Sequence, residues 1–482
     1  MGLFDALKKV VDPDRALQAW VSTLIEASAV RDAVSTERAR WQPGEPLKLL
    51  LAGYVGTRNT GADVRVEEMI RQFRHLFGDD QLSLSLMTMD PALSAGYFRR
   101  VRQVQLPQVY PPFLYSECTQ HHGVIACEGS MFKSKFAEAL TTMMAGSLGM
   151  ANVEGKLSVG YGAEAGHMTP RMREFVRKHV AGSLVICRNE PSRGTLEALG
   201  VRTTSGTDTA WTFEPAPPEV GQQILRDAGW DGVKPVLAIA PINPFWWPVR
   251  PDLGKAAARA VSGEFAVEHY RSIYFHHTSR EADAKYDAYL DGLAEAANAF
   301  AREEDVFIVL VGSEMLDRLS CEALATRLDA PAPVLVSDEL DMYQFVSMLR
   351  ACSMLVSSRF HAIVCSMAGL VPSAGVTMDE RIRNLMNDRE TPELFLEVDD
   401  DDLGPRLLEI IRILHTEGDR VRDAIGRAYP KQLHRMGQMG IELLDEVERV
   451  YPDYERIDRP RTWDAHLPAL SPNLQHIMET WS

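Results

Sequence analysis

The stretch Leu47–Asp63 reads LKLLLAGYVGTRNTGAD and joins an apolar run to a loop that contains three glycines. We predict a buried strand over Leu47–Ala52 and a helix over Asp63–Phe77. Glycines in such a loop let the backbone approach a ligand, and the following helix points free N–H groups toward it. The loop is therefore either a tight structural turn or a binding loop, with Asn59 and Gly61 as its binding candidates.

The glycine loop lacks the residues of the common nucleotide-binding motifs. Gly56 and Gly61 have the spacing of a phosphate loop, but Ala62 and Asp63 stand where that loop requires Lys and Ser or Thr. The loop also contains no G-x-G-x-x-G pattern, which argues against a dinucleotide site.

Strand-like and helix-like segments alternate from this stretch toward the carboxyl end. This alternation predicts right-handed crossovers and mainly parallel sheets. The segment Phe213–Val220 contains three prolines in eight residues and divides the series in two, as a linker would. The further predicted strands are Leu82–Thr88, Val124–Cys127, Leu157–Tyr161, Ser183–Cys187, Val236–Ala240, Ile273–Phe275, Val306–Val311, Val334–Val336, Met354–Ser357 and Ser373–Val376. The further predicted helices are Lys133–Gly149, Thr169–Ala181, Ser192–Leu199, Tyr286–Arg302, Leu316–Arg327, Met342–Cys352 and Ala362–Gly369.

We therefore predict an α/β fold with two Rossmann-like domains and added N- and C-terminal helices. The predicted divisions are residues 1–45 for an N-terminal helical extension, 46–215 and 216–404 for the two domains, and 405–482 for C-terminal helices and an irregular tail. Ligands of parallel α/β sheets bind beyond the carboxyl ends of the strands. Functional residues are thus expected just after strands, in a cleft between the domains.

Composition and charge exclude several classes of function. The chain of 482 residues has 67 acidic and 51 basic side chains, a net charge of −16, which is unfavourable for nucleic-acid binding. Its apolar runs are far shorter than the ~20 residues of a membrane span, and no secretory signal is evident. The six cysteines form no C-x-x-C pair, so we predict buried free thiols in a cytoplasmic protein. The pairs His121-His122 and His276-His277 lack the spacing of metal ligands, and neither a metal nor a cofactor is predicted.

Residues 1–40 have the apolar spacing of an amphipathic helix, with Leu3 and Phe4 on the face that Trp20 and Leu24 continue. Such a helix packs on its own domain, on a second subunit or on a membrane surface. Homo-oligomerisation and peripheral contact with the inner face of the membrane are therefore both left open.

Polar and aromatic groups follow several predicted strands. Glu128 follows the third strand, where it could act as a base or accept hydrogen bonds from the next helix. Arg188 follows the fifth strand and either binds an anion or pairs with Glu190. Trp246 and Trp247 follow the first strand of the second half, where they stack on a sugar ring, close the cleft or pack in the core.

The strongest candidate site is Met354–His361, a predicted strand followed at once by a helix. It places Ser358, Arg359 and His361 beside a helix N-terminus. A guanidinium, hydroxyl donors and the positive end of a helix dipole together form an anion pocket. A histidine there can carry a proton near neutral pH. The alternative is a structural ion pair for Arg359 and a capping role for His361.

Taken in order, these elements resemble the polysaccharide pyruvyl transferases. The loop Gly53–Gly61 resembles the loop that opens the family, and Arg188–Ser192 (RNEPS) resembles its R-D-E-x-S element. Asp208–Trp211 resembles a later D-x-A-F element. The most specific match is the R-x-H-A element at Arg359–Ala362, followed by the G-x-P element at Gly369–Pro372 (GLVP).

The resemblance implies a GT-B-like arrangement, with the acceptor bound by the first domain and the donor by the second. It implies transfer of the pyruvyl group of phosphoenolpyruvate to two hydroxyls of a saccharide, leaving a ketal and free phosphate. His361 is then the expected acid, and Glu128 and Asp63 are candidate bases. The expected substrate-binding residues are Arg359, Phe360, His361, Arg188, Ser358, Asn59, Gly61, Trp246 and Trp247.

Two other functions stay open from sequence: a GT-B glycosyltransferase that uses a nucleotide sugar, and a non-catalytic relative that binds a glycan. The first would need an acidic residue for the ribose, and no clear one is found. The joint presence of Arg188, Arg359 and His361 argues against the second. Ala62 and the Cys127-Glu128-Gly129 segment depart from the family pattern, so the acceptor, its reacting hydroxyls and any lipid linkage remain undefined.

Overall fold

The structure is a computed structural model that describes residues 12–35, 39–266, 268–378 and 380–481. The predicted helical face at Leu3 and Phe4 lies outside the described residues. The described chain begins with helix α1 (Pro13–Val34), whose Val21 packs against Gly146 of the first domain. The described part of the N-terminal stretch thus packs on its own chain.

The first sheet has seven parallel strands in the order β3-β2-β1-β4-β5-β6-β7. The chain runs outward from β1 in one direction and from β4 in the other, so a crevice opens at their carboxyl ends. The strands are β1 (Leu47–Val55), β2 (Leu82–Thr88), β3 (Arg102–Gln105), β4 (Gly123–Ala126), β5 (Leu157–Ala163), β6 (Leu184–Cys187) and β7 (Arg202–Ser205). The helices of this domain are α2 (Thr60–Phe77), α3 (Pro111–Gln120), α4 (Glu138–Val153), α5 (Pro170–Val180) and α6 (Glu190–Glu197).

The second sheet has six parallel strands in the order β13-β12-β8-β14-β15-β16. Its crevice lies between β8 and β14, the strands that precede the tryptophan pair and Arg359. The strands are β8 (Val236–Ala240), β12 (Phe307–Gly312), β13 (Val334–Val336), β14 (Met354–Ser357), β15 (Ser373–Thr377) and β16 (Phe395–Glu397). The helices are α7 (Pro218–Asp227), α8 (Leu253–Ser262), α9 (Arg280–Glu303), α10 (Asp317–Ala325), α11 (Met342–Ala351), α12 (Phe360–Met367) and α13 (Glu380–Asp388).

An insertion between β8 and α9 forms a small antiparallel sheet of its own, with β9 (Arg250–Pro251), β10 (His269–Arg271) and β11 (Tyr274–Phe275). It reaches the first domain, because Arg271 Nη2 donates to the Leu106 carbonyl at 3.0 Å. The N–H of Val249 also donates to the Phe136 carbonyl at 2.9 Å. The insertion therefore bridges the two domains.

The prediction of two Rossmann-like domains in a GT-B-like arrangement is confirmed, and the sheets lie on either side of Phe213–Val220. Several element predictions were wrong. β3, β7 and β16 were missed because edge strands are short and half exposed, and the first two are mainly polar. The predicted strand Ile273–Phe275 belongs to the insertion, and the helix predicted from Lys133 begins at Glu138.

The C-terminal helices cross back over both domains. They are α14 (Leu403–Thr416), α15 (Gly418–Val450) and α16 (Pro472–Trp481), the last of which falls in the tail predicted to be irregular. Near its start α15 contacts the second domain through Arg420, which donates to Glu393 at 3.0 Å. Near its end Glu446 accepts from Arg202 of the first domain at 2.6 Å. α15 contains Pro430 between these two contacts.

All six cysteines are buried free thiols, as predicted. Among the described residues, no group of three or more His, Cys, Asp or Glu side chains could hold a metal ion. No helix in the described ranges combines the length and apolar character needed to cross a bilayer.

Candidate functional site

His361 of the second domain meets the glycine loop of the first. A Cβ atom placed on Gly61 would lie 2.4 Å from His361 Nδ1 and 2.6 Å from its Cβ. Beside it, the N–H of Thr60 donates to the Ser313 carbonyl at 2.8 Å. Because glycine alone has no Cβ, only glycine permits this contact. The two sequence elements predicted to form a site are thus brought together at the domain interface.

Asp208 of the first domain holds the other side of the His361 ring. Nε2 of His361 lies 3.3 Å from Asp208 Oδ2, which also accepts from Arg188 Nη1 at 3.0 Å and lies 3.3 Å from Arg65 Nε. Burial alone would raise the pKa of Asp208, but His361, Arg65 and Arg188 outweigh it and hold that pKa well below its usual range. Asp208 is therefore a permanent carboxylate that can fix the histidine ring.

A buried chain of charges continues from Asp208 away from the histidine. Arg188 donates to both Asp208 and Glu164, and Lys133 Nζ donates to Glu164 at 2.8 Å. Burial lowers the pKa of Arg188 to about 10, against the pull of Asp208, so the side chain remains a cation at neutral pH. Of the two sequence alternatives for Arg188, pairing with Glu190 is not found; Glu190 pairs with Arg193 instead.

Arg359 faces two buried carboxylates. Its Nε and Nη2 hydrogen-bond Asp317, and Nη2 lies 2.9 Å from Glu314. Burial raises the pKa of Glu314, and Arg359 opposes that rise. In this conformation the forked edge of the Arg359 guanidinium is bonded to these two carboxylates. An anion-binding role for Arg359 stays a prediction.

Three further predicted residues lie at this junction in supporting positions. Asn59 caps α2 by accepting from the N–H of Ala62 at 3.2 Å. The Ser358 hydroxyl bonds the Tyr289 hydroxyl at 2.8 Å. The Phe360 ring lies under the Arg188 guanidinium at 4.8 Å, a cation–π contact that joins the two domains.

The two candidate bases differ in environment. Asp63 is buried in the first turn of α2, where one of its carboxyl oxygens has no hydrogen-bond partner. Burial raises the pKa of Asp63 to about 8, so at neutral pH it is mainly protonated, which suits a proton donor rather than a base. Glu128 accepts the N–H of Gly129 at 2.9 Å, a bond within its own turn and not one from the next helix, which begins at Glu138. Their catalytic roles stay predictions.

Trp246 and Trp247 are half-buried members of an aromatic cluster. Trp246 stacks on His276 with ring centres 4.5 Å apart, and Trp247 meets Phe136 of the first domain edge-on at 5.3 Å. Trp247 therefore helps to close the interface. Stacking on a sugar ring stays a prediction.

Sequence reasoning did not assign functions to four residues of this site. Asp208 was noted only as part of a family-like element, and Glu164 and Lys133 were not considered. Arg381 lines the same recess as Arg188, Asp208 and Phe360 and lies over the Phe136 ring at 5.2 Å. The signal available was position, because Glu164 follows β5 directly and Asp208 stands three residues after β7.

His361, Asp208 and Arg188 all come from one continuous part of the sequence, which includes Glu164 and Arg359. Residues 150–380 match the model of the polysaccharide pyruvyl transferase family. The resemblance found in the sequence is thereby confirmed. The match covers the R-x-H-A element of the pyruvyl transferases, most of the second domain and the end of the first, and it does not reach the glycine loop. No curated protein matches the chain.

Solved structures similar to this pyruvyl transferase-like chain share its fold. A putative UDP-N-acetylglucosamine 2-epimerase from Listeria monocytogenes has a TM-score of 0.50 and 10% identity, over 85% of this chain and 98% of the epimerase. The UDP-GlcNAc 2-epimerase of Neisseria meningitidis bound to UDP-GlcNAc has a TM-score of 0.48 and 10% identity, over 84% and 100% of the two chains. At this identity the likeness concerns the GT-B fold alone.

Proposed function

We propose that this chain transfers the pyruvyl group of phosphoenolpyruvate to two hydroxyls of a saccharide, forming a pyruvate ketal and releasing phosphate. One observation carries the proposal. Within the region that matches the pyruvyl transferases, His361 of one domain is paired with Asp208 of the other beside the buried cation Arg188. A proton carrier next to fixed positive charge suits a small, doubly anionic donor.

The reaction balances without an added cofactor. A proton added to the methylene carbon of phosphoenolpyruvate makes it a methyl group and leaves positive charge on the neighbouring carbon. Two acceptor hydroxyls then form C–O bonds to that carbon, and the C–O bond to phosphate breaks. One hydroxyl proton replaces the one that became part of the methyl group, and the other leaves with phosphate.

His361 is our candidate for the group that delivers the first proton. Asp208 holds Nε2, so Nδ1 is the nitrogen left to exchange a proton with a reactant. Gly61 lies against Nδ1, and we expect the domains to part as the donor enters and to close again before the proton is transferred. Arg188, with Arg381 at the same recess, is our candidate for the donor carboxylate and phosphate.

The test compares His361→Gln with His415→Gln. His415 is a matched control because it also lies beside a carboxylate, Glu304 at 3.7 Å, and edge-on to a phenylalanine, Phe300 at 5.6 Å. We expect His361→Gln to bind phosphoenolpyruvate by calorimetry but to release phosphate roughly 10²–10⁴ times more slowly with an acceptor saccharide. The control should behave as wild type.

One result would refute the role of His361, and another would refute the proposed reaction. Normal phosphate release by folded His361→Gln would remove the histidine from the chemistry. A thermal shift with nucleotide sugars, and none with phosphoenolpyruvate, would favour the glycosyltransferase alternative.

A further inference from the structure

Helix α1 has a second apolar face, opposite the one that packs on its own chain. Val21 and Ile25 are buried against Gly146 and Gly149 of α4. The opposite face carries a row of exposed residues, which we call the outer stripe: Ala16, Trp20, Thr23, Ala27, Val30 and Val34. A helix on the surface of a monomer normally presents charged and polar groups to water. The outer stripe therefore indicates a contact that the described part of the chain does not provide.

The spacing of the outer stripe is typical of a helix that pairs with another helix. Its members are separated by four, three, four, three and four residues, the a/d spacing of a coiled coil. At 3.6 residues per turn they lie within about 80° of the helix circumference. The accessible fractions are 44% for Trp20, 65% for Val30 and 75% for Val34. The Thr23 hydroxyl donates to the Ala19 carbonyl at 3.0 Å, so it needs no partner outside its own helix.

α1 is fixed to the first domain along its length, so the outer stripe is a formed surface. In the middle of the helix the Ser22 hydroxyl bonds Nε2 of His179 at 2.8 Å. Nearer its end Arg31 donates to the buried carboxylate of Glu154 at 2.6 Å. A partner that binds a formed surface has little conformational entropy to overcome.

The outer stripe is complementary to itself about a twofold axis near Ile25. An antiparallel pair with this axis sets three pairs of residues opposite each other: Ala16 and Val34, Trp20 and Val30, Thr23 and Ala27. Small residues at the centre let the helices approach closely, and Trp20 fills the space on either side. In a parallel pair Trp20 would instead meet its own copy, and Ala27 would leave a gap beside it. The pattern favours the antiparallel arrangement.

Charges beside the outer stripe fit a second copy of this chain. Arg15, exposed at the beginning of α1, would lie beside the carboxyl end of the other copy's helix in an antiparallel pair, where the helix dipole favours a cation. Near the axis Glu26 and Lys178 are both more than half exposed and pair at 2.9 Å, so each copy offers an acid and a base to the other. This balance matters because the whole chain carries a net charge of −16 and copies repel each other elsewhere. Helices that bind membranes instead carry an excess of Lys and Arg.

We propose that the outer stripe joins two copies of this chain into a dimer in which the two α1 helices are antiparallel. Neither the contact nor its tests depend on the proposed function. A single pair of helices is a small interface, so we expect a dimer that dissociates on dilution.

Sedimentation velocity of the full chain over about 1–100 µM, which spans the dissociation constants of weak dimers, tests the association. We expect the mass to rise toward twice that of one chain. Ala27→Glu should weaken the association by at least about 100-fold, because it brings two carboxylates together at the centre of the pair. Ala27 is exposed and glutamate is a good helix former, so folding should be unaffected.

The matched control is Ala284→Glu, which places the same charge on another exposed alanine, in α9. It should associate as the wild type does. A wild type that stays monomeric over the whole range, or an Ala27→Glu variant that associates as strongly as the control, would overturn the proposal.

A spin label on Ala16→Cys measures the orientation of the helices, since all six native thiols are buried. The labelled sites would be roughly 30 Å apart in an antiparallel pair centred near Ile25 and roughly 10 Å apart in a parallel pair. A separation near the shorter value in the dimer would contradict the antiparallel arrangement.

Two other occupants of the outer stripe give different results. If residues 1–11 cover it, the full chain stays monomeric and their removal induces association. If a membrane covers it, the chain stays monomeric and sediments with vesicles of phosphatidylglycerol and phosphatidylethanolamine, and Ala27→Glu abolishes that binding. Either result would rule out the dimer.

Discussion

Replacing Gly61 with Ala tests whether the contact between the glycine loop and His361 belongs to the working state of the protein. Gly61 lies inside α2 with an ordinary helical backbone, so alanine suits the helix itself and should favour it by about 0.5–1 kcal/mol. The new methyl group, however, would lie 2.4–2.6 Å from Nδ1 and Cβ of His361.

The size of the effect follows from these distances. Carbon contacts need about 3.5 Å, so the two elements must separate by roughly 1 Å. Because His361 Cβ is itself too close, rotation of the ring cannot relieve the clash. The distance from Nε2 to Asp208 would then grow from 3.3 Å to beyond hydrogen-bonding range. A misplacement of this size is worth about 10²-fold in rate, near 2.7 kcal/mol.

The assay measures phosphate release from phosphoenolpyruvate with an acceptor that the wild-type protein uses, and urea unfolding of the same samples. We expect the rate to fall about 10²-fold while the unfolding free energy changes by no more than ~1 kcal/mol. Gly194→Ala is the control, because it also lies in a helix and its added methyl group meets nothing within 4 Å. A wild-type rate for Gly61→Ala would refute the reasoning.

Three further predictions concern charged groups of the site. Asp208→Asn should destabilise the protein by about 3–5 kcal/mol at pH 7, since it removes the buried carboxylate that Arg65 and Arg188 share and leaves Glu164 to balance both Arg188 and Lys133. Because the folded pKa of Asp208 is lowered, its contribution to the unfolding free energy is present above about pH 4 and is lost below it. Urea titrations should therefore show that acid destabilises the variant less than the wild type. An equal dependence of the unfolding free energy on acid pH would contradict this. The folded pKa of Asp63 is raised to about 8, so the unfolding free energy should fall as the pH rises from about 4 to about 8. Asp63→Asn should flatten that fall. An unchanged dependence of stability on pH would count against the burial of Asp63. Arg359→Lys should lower the unfolding free energy if the arginine acts as the structural partner of Asp317 and Glu314. It should instead weaken phosphoenolpyruvate binding by about 1.5–3 kcal/mol if the arginine binds the donor. Calorimetry and urea unfolding distinguish these two roles, and no change in either measurement would exclude both.

The interior of the fold could be predicted from sequence because buried parallel strands are continuous apolar runs. Val236–Ala240 and Met354–Ser357 were predicted with the bounds that the structure has. The polar edge strands β3 and β7 could not be predicted, since a segment such as RTTS forms a strand only when it pairs with a neighbouring strand.

The site was predictable in part for a similar reason. Arg188 stands directly after β6 and His361 in the first turn of the helix that follows β14, where local sequence indicates a ligand site. Lys133 was predicted to begin a helix, but tertiary hydrogen bonds hold this segment in a non-helical form. The N–H groups of Phe132 and Ser134 donate to the carbonyls of Glu164 and His167, and Lys133 bonds the Glu164 carboxylate. Such partners are distant in sequence, and only the folded chain shows them.

Pro430 has a mechanical consequence for the two domains. Proline lacks the N–H that would bond the preceding turn, so a long helix bends most easily there. In α15 that weak point falls between Arg420, held by the second domain, and Glu446, held by the first. Contacts to both domains surround that point, since Tyr429 bonds the Trp211 carbonyl of the first domain and Arg435 pairs with Asp388 of the second. A change in the angle between the domains would therefore be taken up by bending of α15 at Pro430.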